Sequence, residues 1–430
     1  KFMEGISNTL NNLRLRFSYG TAGDNNIPSK QIAQIFTAST TSWINGFSSF
    51  WAPSTNMANP DLKWETTVTR NLGLDFGLFR NRINGSVEVY RNNTKDLLIA
   101  FPVSGTGYTT QYRNMGETQN KGLEIELNAV ALNAEKYGLS FGFNIGFNKN
   151  EILSLGVMND FGQNSSWAST EIGSDYWIAV GGSVGEMYGY VNDGRYEVSD
   201  FSGYDEEEEE WILNDGVVDN SNVIGTVRPG SVKLKDFTGD GMVTVADGKV
   251  IGNANPKHTG GFNVEGYFYG FDLSALFNWS YGNDIYNANK VEYTTSRYAF
   301  RNMIDIMAEG NRWTNLDPAT GTLVNDPATL EAMNASTTMW SPFMTRHVFS
   351  DWAVEDGSFL RLNTLTLGYS LPDIVTSRLQ IQRLRFYVSG YNVFVLTNYS
   401  GFDPEVSARR NTVLTPGLDY SAYPKSRQLL

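Results

Sequence analysis

The sequence predicts an all-β protein, a transmembrane antiparallel β-barrel. Three observations lead there: strict hydrophobic alternation, strands of ten or more residues, and connections that switch regularly between long and short. From Leu139 to Asn148, Leu139, Phe141, Phe143, Ile145 and Phe147 alternate with Ser140, Gly142, Asn144, Gly146 and Asn148. A period of two places these sets on opposite faces of a strand. Leu72, Leu74, Phe76 and Leu78 repeat the pattern, as do Leu123, Ile125, Leu127 and Ala129. Phe271, Leu273, Ala275, Phe277 and Trp279 do so too, with Leu276 interrupting the polar row. Weaker strands are expected over 13–19, 83–97, 258–270, 358–370 and 384–397.

Alternation alone also suits a half-buried soluble sheet, so strand length matters. Membrane strands need about 9–11 residues, and soluble ones average about 5–6. The connections add to this. Long stretches near 20–62, 99–119, 155–257, 286–357 and 398–426 alternate with short ones at 79–82, Glu135-Lys136, Gly270 and 371–383. Outer-membrane barrels have short periplasmic turns and long extracellular loops. On this reading the first strand runs outward, and so does the ninth. Nine strands cannot close an even-numbered barrel. Residues 1–430 are therefore expected to be the C-terminal portion of one barrel domain, with a tenth strand beginning near Arg427–Leu430.

Composition narrows the class. The chain has 42 Gly, 13% aromatic residues and only 18% charged residues, which suits strands, turns and an apolar surface. The net charge of −13 offers no basic face for nucleic acid. Glu206–Glu210 is an acidic run expected at a solvated loop tip. There is no Cys, and Lys1–Gly5 does not open a signal peptide. No apolar run approaches the ~20 residues of a membrane helix, so a spanning chain has to use a closed barrel.

Several segments resemble one family. They are Ser358–Pro372 (SFLRLNTLTLGYSLP), Tyr387–Phe394 (YVSGYNVF) and Thr397–Glu405 (TNYSGFDPE). Asn59–Glu65 (NPDLKWE), Asn120–Glu124 (NKGLE) and Val184–Tyr190 (VGEMYGY) join them in the same order. Together they resemble the SusC/RagA-type TonB-dependent outer-membrane transporters. The resemblance implies a 22-stranded barrel with an N-terminal plug, which is absent from these residues. It implies a SusD-like surface lipoprotein over the mouth, TonB as energy source, and oligosaccharides or oligopeptides as cargo.

Four motifs bear on chemistry. Asp236, Thr238, Asp240, Met242, Thr244 and Asp247 hold the ligand positions of a calcium-like loop, with Gly241 at the sharp turn. Thr238 and the short Asp247 depart from the calcium pattern, and the alternative is a Gly-rich turn held by Asp side chains. Gly181-Gly182-Ser183-Val184-Gly185 matches a nucleophile elbow. With only His258 and His347 in the chain, it is expected to be a Gly-rich segment, and no catalytic residue is assigned. Glu124 and Glu126 share a strand face and are expected in a hydrated lumen wall. Trp43, Trp51, Trp167, Trp177, Trp313, Trp340 and Trp352 fall in or beside long loops, where they can stack on cargo or pack on one another. Trp64 and Trp279 suit an interfacial girdle.

The expected function is substrate-specific import across the outer membrane, without enzymatic activity. Asp75, Glu124, Asn128, Asn144 and Asp272 would line the lumen, and 155–257 and 286–357 would form the recognition surface. The alternatives are a passive porin or adhesin on a similar barrel, and a soluble glycan-binding or hydrolytic β-domain.

Overall fold

The computed structural model describes residues 9–25, 29–39, 50–103, 105–168, 171–297, 300–378, 380–408 and 413–430. Trp43 and Lys1–Gly5 lie outside them. Ten antiparallel strands form one sheet in chain order. They are β1 (Leu10–Asp24), β2 (Glu65–Leu78), β3 (Ile83–Lys95), β4 (Glu117–Asn133) and β5 (Tyr137–Ser154). After them come β6 (His258–Phe268), β7 (Phe271–Tyr281), β8 (Phe359–Ser370), β9 (Arg385–Thr397) and β10 (Gln428–Leu429). Among the described residues β1 and β10 do not pair with each other, so this is an open up-and-down meander. Gln428 and Leu429 pair back onto Tyr391 and Gly390.

Register carries the alternation across the whole sheet. Leu15 pairs with Leu74, Leu74 with Val87, Val87 with Ile125, and Ile125 with Ile145. Further along, Phe143 pairs with Phe262, Phe262 with Phe277, and Phe277 with Leu362. One face is thus continuously apolar over eight strands. It is also uncovered: Leu15 is 71% and Phe17 74% exposed. A soluble sandwich would bury this face under a second layer, and none is present among the described residues. Among the described residues no helix is long and apolar enough to cross a membrane.

Several strands run past their alternating part. β4 has 17 residues and β5 has 18. Beyond Leu123 and Phe147 the outward positions become Lys121 and Lys149, while the strand pairing keeps its register as far as Ile152 and Thr118. Hydrophobic alternation therefore marks only the stretch that meets lipid.

Gly260 shows why glycine is needed inside a strand. An added Cβ would collide with the Asn144 carbonyl oxygen on one side and the Trp279 indole on the other. That indole stacks on Phe143 at 5.7 Å and donates from Nε1 to His258 Nδ1 at 3.0 Å. Gly260→Ala is expected to lower stability by roughly 1–3 kcal/mol through overpacking. Urea unfolding in detergent, followed by Trp fluorescence, measures it.

The buried cores lie in the loops. The connection β5–β6 supplies Trp167, Ile172, Tyr176 and Met187, which pack with Tyr286, Val291 and Phe349 from the β7–β8 connection and Leu418 from the β9–β10 connection. A second cluster joins Tyr196, Phe201, Ile224, Val232 and Val243 to Met307, Met339 and Trp340. Short strands stitch two of the connections together, and a bridge between Tyr190 and Ser350 ties in the third. Asp284–Asn287 pairs with Val354–Asp356 on one side and with Leu418–Asp419 on the other. Loops of this length without secondary structure are uncommon, and these fold into a cap with its own interior.

Candidate functional site: the polar face and its cap

The face opposite the apolar band is polar, and its charges are paired. The Arg16 guanidinium donates from Nε to Asp75 at 2.8 Å and from Nη1 to Glu88 at 3.3 Å. Across the sheet, Arg385 holds Asp272 with Nε at 2.9 Å from the carboxylate. Asn128 donates to Glu126 at 3.0 Å. Among the described residues the ion pairs of this wall fall on Asp75, Glu88 and Asp272, while Glu126 has an amide partner. The reason is register: Asn128 is the polar neighbour of Glu126, whereas the Arg residues sit beside the two Asp.

Between these pairs the surface is rich in uncharged amides. A depression of about 390 Å³ is lined by Asn71, Tyr90, Asn92, Asn120 and Asn148, with Glu88 and Glu124 at its edge. Tyr90 donates to Asn148 at 2.9 Å, and Asn148 and Asn150 both donate to Asn120. Where the wall meets the cap lies a cleft of about 590 Å³. Asn144, Thr259, Asn278 and Ser280 come from the wall, and Pro404–Ser407 from the β9–β10 connection. Sequence reading missed this cleft, because residues 404–407 reach it only through the fold of the cap. A larger concavity of about 1090 Å³ lies among Leu132, Tyr137, Leu139, Phe268, Phe271 and Leu273 on the apolar side.

One buried cation pins the cap to the wall. The Arg361 side chain, 1% exposed, leaves β8 and meets Asp403 at 2.6 Å and Glu405 at 2.8 Å. It also donates to Asn392 of β9, and Lys425 joins Glu405 at 2.6 Å. Thus the segment that lines the cleft is fixed by ion pairs to the strand beneath it.

The cap is held by buried polar contacts as well as by its cores. Trp167 Nε1 donates to the Tyr286 hydroxyl at 2.6 Å, and Tyr176 donates to the Pro416 carbonyl at 2.8 Å. Trp167, Trp313 and Trp340 are buried, and Trp177 stacks on Tyr188 at 4.6 Å. Most of the loop tryptophans therefore pack within the cap, while Trp51 is exposed. Trp64 is exposed on the outward side of Gly23. Ser183 lies in a turn where its hydroxyl accepts from Asn253 at 2.8 Å and its N–H donates to Glu186 at 2.9 Å. Those contacts make it a clip between two cap segments.

The calcium-like loop has a definite donor pattern. Asp236 accepts backbone N–H groups from Gly239 at 2.6 Å and Gly241 at 2.9 Å. Asp247 accepts from Phe237, Thr238 and Thr244 at 2.8–3.0 Å. Asp240 accepts from Met242 at 3.0 Å. Met242 is exposed, and Thr244 caps the turn Val245–Asp247. Burial pushes the Asp247 carboxyl up, but the backbone N–H groups outweigh it and hold it near 2. Among the described residues no group of three or more His, Cys, Asp or Glu side chains converges as metal ligands.

Asp175 is the opposite case. Its carboxylate is buried and accepts from the Ser165 N–H at 2.7 Å and from the Ser165 hydroxyl. Desolvation dominates and pushes it up to about 6. The folded cap then binds this proton more tightly than the unfolded chain. Its contribution to stability is complete below about pH 4 and lost as pH rises through about 6. Asp175→Asn keeps the shape and removes the titration. Relative to the parent, the variant cap is expected to gain roughly 2 kcal/mol between pH 4 and 7. Hydrogen exchange of cap amides at both pH values measures it.

The comparisons agree with this geometry. The family model "TonB dependent receptor-like, beta-barrel" matches residues 7–220. TonB-dependent receptor P3 of Formosa agariphila is 31% identical over 98% of this chain and 39% of its own length. The chain belongs to the TonB-dependent receptor β-barrel family. TonB-dependent receptor SusC of Bacteroides thetaiotaomicron is 25% identical over 98% of the chain and 37% of its own length. The solved structure of the RagAB peptide transporter shares the fold, with a TM-score of 0.73 at 23% identity. It covers all of this chain, which covers 41% of the solved one. This TonB-dependent receptor chain thus spans about 39% of the length of the curated relatives it matches.

Proposed function

We propose that these residues form part of the wall and the extracellular cap of an importer that carries oligosaccharides or oligopeptides across the outer membrane. The observation behind this is the two-faced sheet. An uncovered apolar band suits lipid, and the opposite amide-rich wall meets a folded cap at the 590 Å³ cleft. Neutral amides suit cargo that offers hydroxyl or peptide groups, because each Asn both donates and accepts. Energy would come from TonB through segments outside these residues. A SusD-like lipoprotein would cover the cap. The chain supplies no chemistry of its own in this reading, and Ser183 acts as a clip.

Within the proposal, the Asp236–Asp247 loop is a carboxylate-held turn. Calcium at millimolar concentration is then expected to leave the hydrogen exchange of residues 236–247 unchanged. A protective effect would establish a cation site instead.

The test is copurification. The full-length protein is extracted from outer membranes in detergent and its companions are identified by mass spectrometry. A stoichiometric surface lipoprotein with trapped glycan or peptide, and uptake lost without TonB, supports the importer. A lone detergent-solubilised barrel that conducts without TonB would replace it with a passive pore.

A further inference from the structure

The outward face of β2–β5 changes character at its extracellular end. Two residues beyond Leu72, Val89, Leu123 and Phe147 on the same face stand Arg70, Arg91, Lys121 and Lys149. They are adjacent in register: Arg70 pairs with Arg91, Arg91 with Lys121, and Lys121 with Lys149. All four are exposed. Four cations thus cross four strands in one row, about 14 Å wide at the usual strand spacing. The row sits at the edge of the apolar band, where hydrocarbon gives way to head groups.

The row needs an explanation, because like charges in adjacent pairing positions repel. The chain as a whole is acidic, at −13. On the lumen side Arg16 and Arg385 each have a carboxylate to themselves or nearly so. Here a single acid, Glu151, serves both Lys121 at 3.5 Å and Lys149 at 3.7 Å. Arg70 lies over the Tyr19 ring at 5.9 Å, and Arg91 lies against Gln119. The row therefore keeps an excess of positive charge at a fixed depth, beside apolar surface.

We propose that this row binds the phosphate groups of an anionic lipid in the outer leaflet, with its acyl chains against Leu72, Val89, Leu123 and Phe147. Paired Arg guanidinium groups grip phosphate oxygens bidentately, and the flanking Lys ammonium groups add charge. A head group bearing two phosphates spans the row, while a zwitterionic head would bring its own ammonium against the cations. The inference rests on the membrane-embedded reading above.

The experiment uses the full-length protein, delipidated in mild detergent and titrated with diphosphoryl lipid A under native mass spectrometry. Replacing Arg70, Arg91, Lys121 and Lys149 together by Gln is expected to weaken lipid A binding at least tenfold. The control Arg80→Gln with Lys136→Gln, at the opposite rim, is expected to stay within twofold of the parent. Phosphatidylcholine is expected not to compete, and millimolar inorganic phosphate to compete only weakly. Equal lipid A binding by parent and row variant, or an equal loss in the control, overturns the proposal. So does full displacement by inorganic phosphate, which would mark a free-anion site. Should the fourfold variant fail to fold, by heat-modifiable gel migration, Lys121→Gln and Lys149→Gln singly are each expected to give a partial loss. If the protein does not fractionate with outer membranes, the membrane reading fails too. If it does, and lipid A binding is unmoved, this inference fails alone.

Discussion

Arg361→Met will release the β9–β10 connection from the barrel wall, at an expected cost of about 3–5 kcal/mol to that attachment. The substitution keeps an unbranched apolar stem but leaves Asp403, itself 5% exposed, without its guanidinium. Removing one member of a buried pair is costly, because the remaining charge stays in a poor solvent. Glu405 retains Lys425, so the loss concentrates on Asp403 and on the turn it organises. That turn includes the Asp403 carboxylate accepting from the Glu405 N–H at 2.9 Å. Residues 404–407, which line the cleft, lose their anchor. Hydrogen exchange over 398–408 is expected to rise by more than a hundredfold while β2–β5 stays protected. The double variant Arg361→Met with Asp403→Asn should recover part of the loss. Unchanged exchange in the single variant would show that the cap is held by its cores alone.

The second large effect separates the two faces of one strand. Ile145 and Asn144 are neighbours on β5, one on the apolar face and one on the wall of the cleft. Ile145→Arg places a charge in the middle of the lipid-facing band, at an expected cost of roughly 2–4 kcal/mol. Asn144→Arg points into water and is expected to cost less than about 1 kcal/mol. Reversible unfolding of the full-length protein in lipid vesicles measures both. If the two variants were equally destabilised, the apolar face would not be in hydrocarbon. Cargo uptake should respond in the other direction, with Asn144→Arg changing selectivity and Ile145→Arg mainly lowering the amount of folded protein.

The wall was legible in the sequence because lipid imposes a rule on every other residue. Leu139 to Phe147 can be read as one face without any knowledge of their neighbours. The same rule stops where lipid stops, which is why β4 and β5 extend beyond their alternating cores. The cap was hidden for the converse reason. Its interior is assembled from Tyr176, Tyr286 and Leu418, far apart in sequence and each in a strand of two to four residues. Short strands of this kind leave no period to read. The calcium-like loop illustrates a third limit. Spacing places Asp236 and Asp247 correctly at the two ends of a turn, but whether their oxygens face a cation or backbone N–H groups depends on the chain's path. Asp75 and Asp272 were legible as lumen residues, but their Arg partners were not, because pairing needed register: Arg16 reaches Asp75 across strands separated by a long connection.

The cap's private interior has a consequence for how such a protein changes over time. The wall is held by a hydrogen-bond ladder and by lipid, the cap by apolar clusters in water. The two halves of the molecule answer to different solvents. A substitution among Trp313, Met339 and Trp340 repacks the cap without touching the apolar band of the sheet, and a change in that band leaves the cap's interior as it was. The cap can therefore diverge between relatives while the apolar band keeps its pattern.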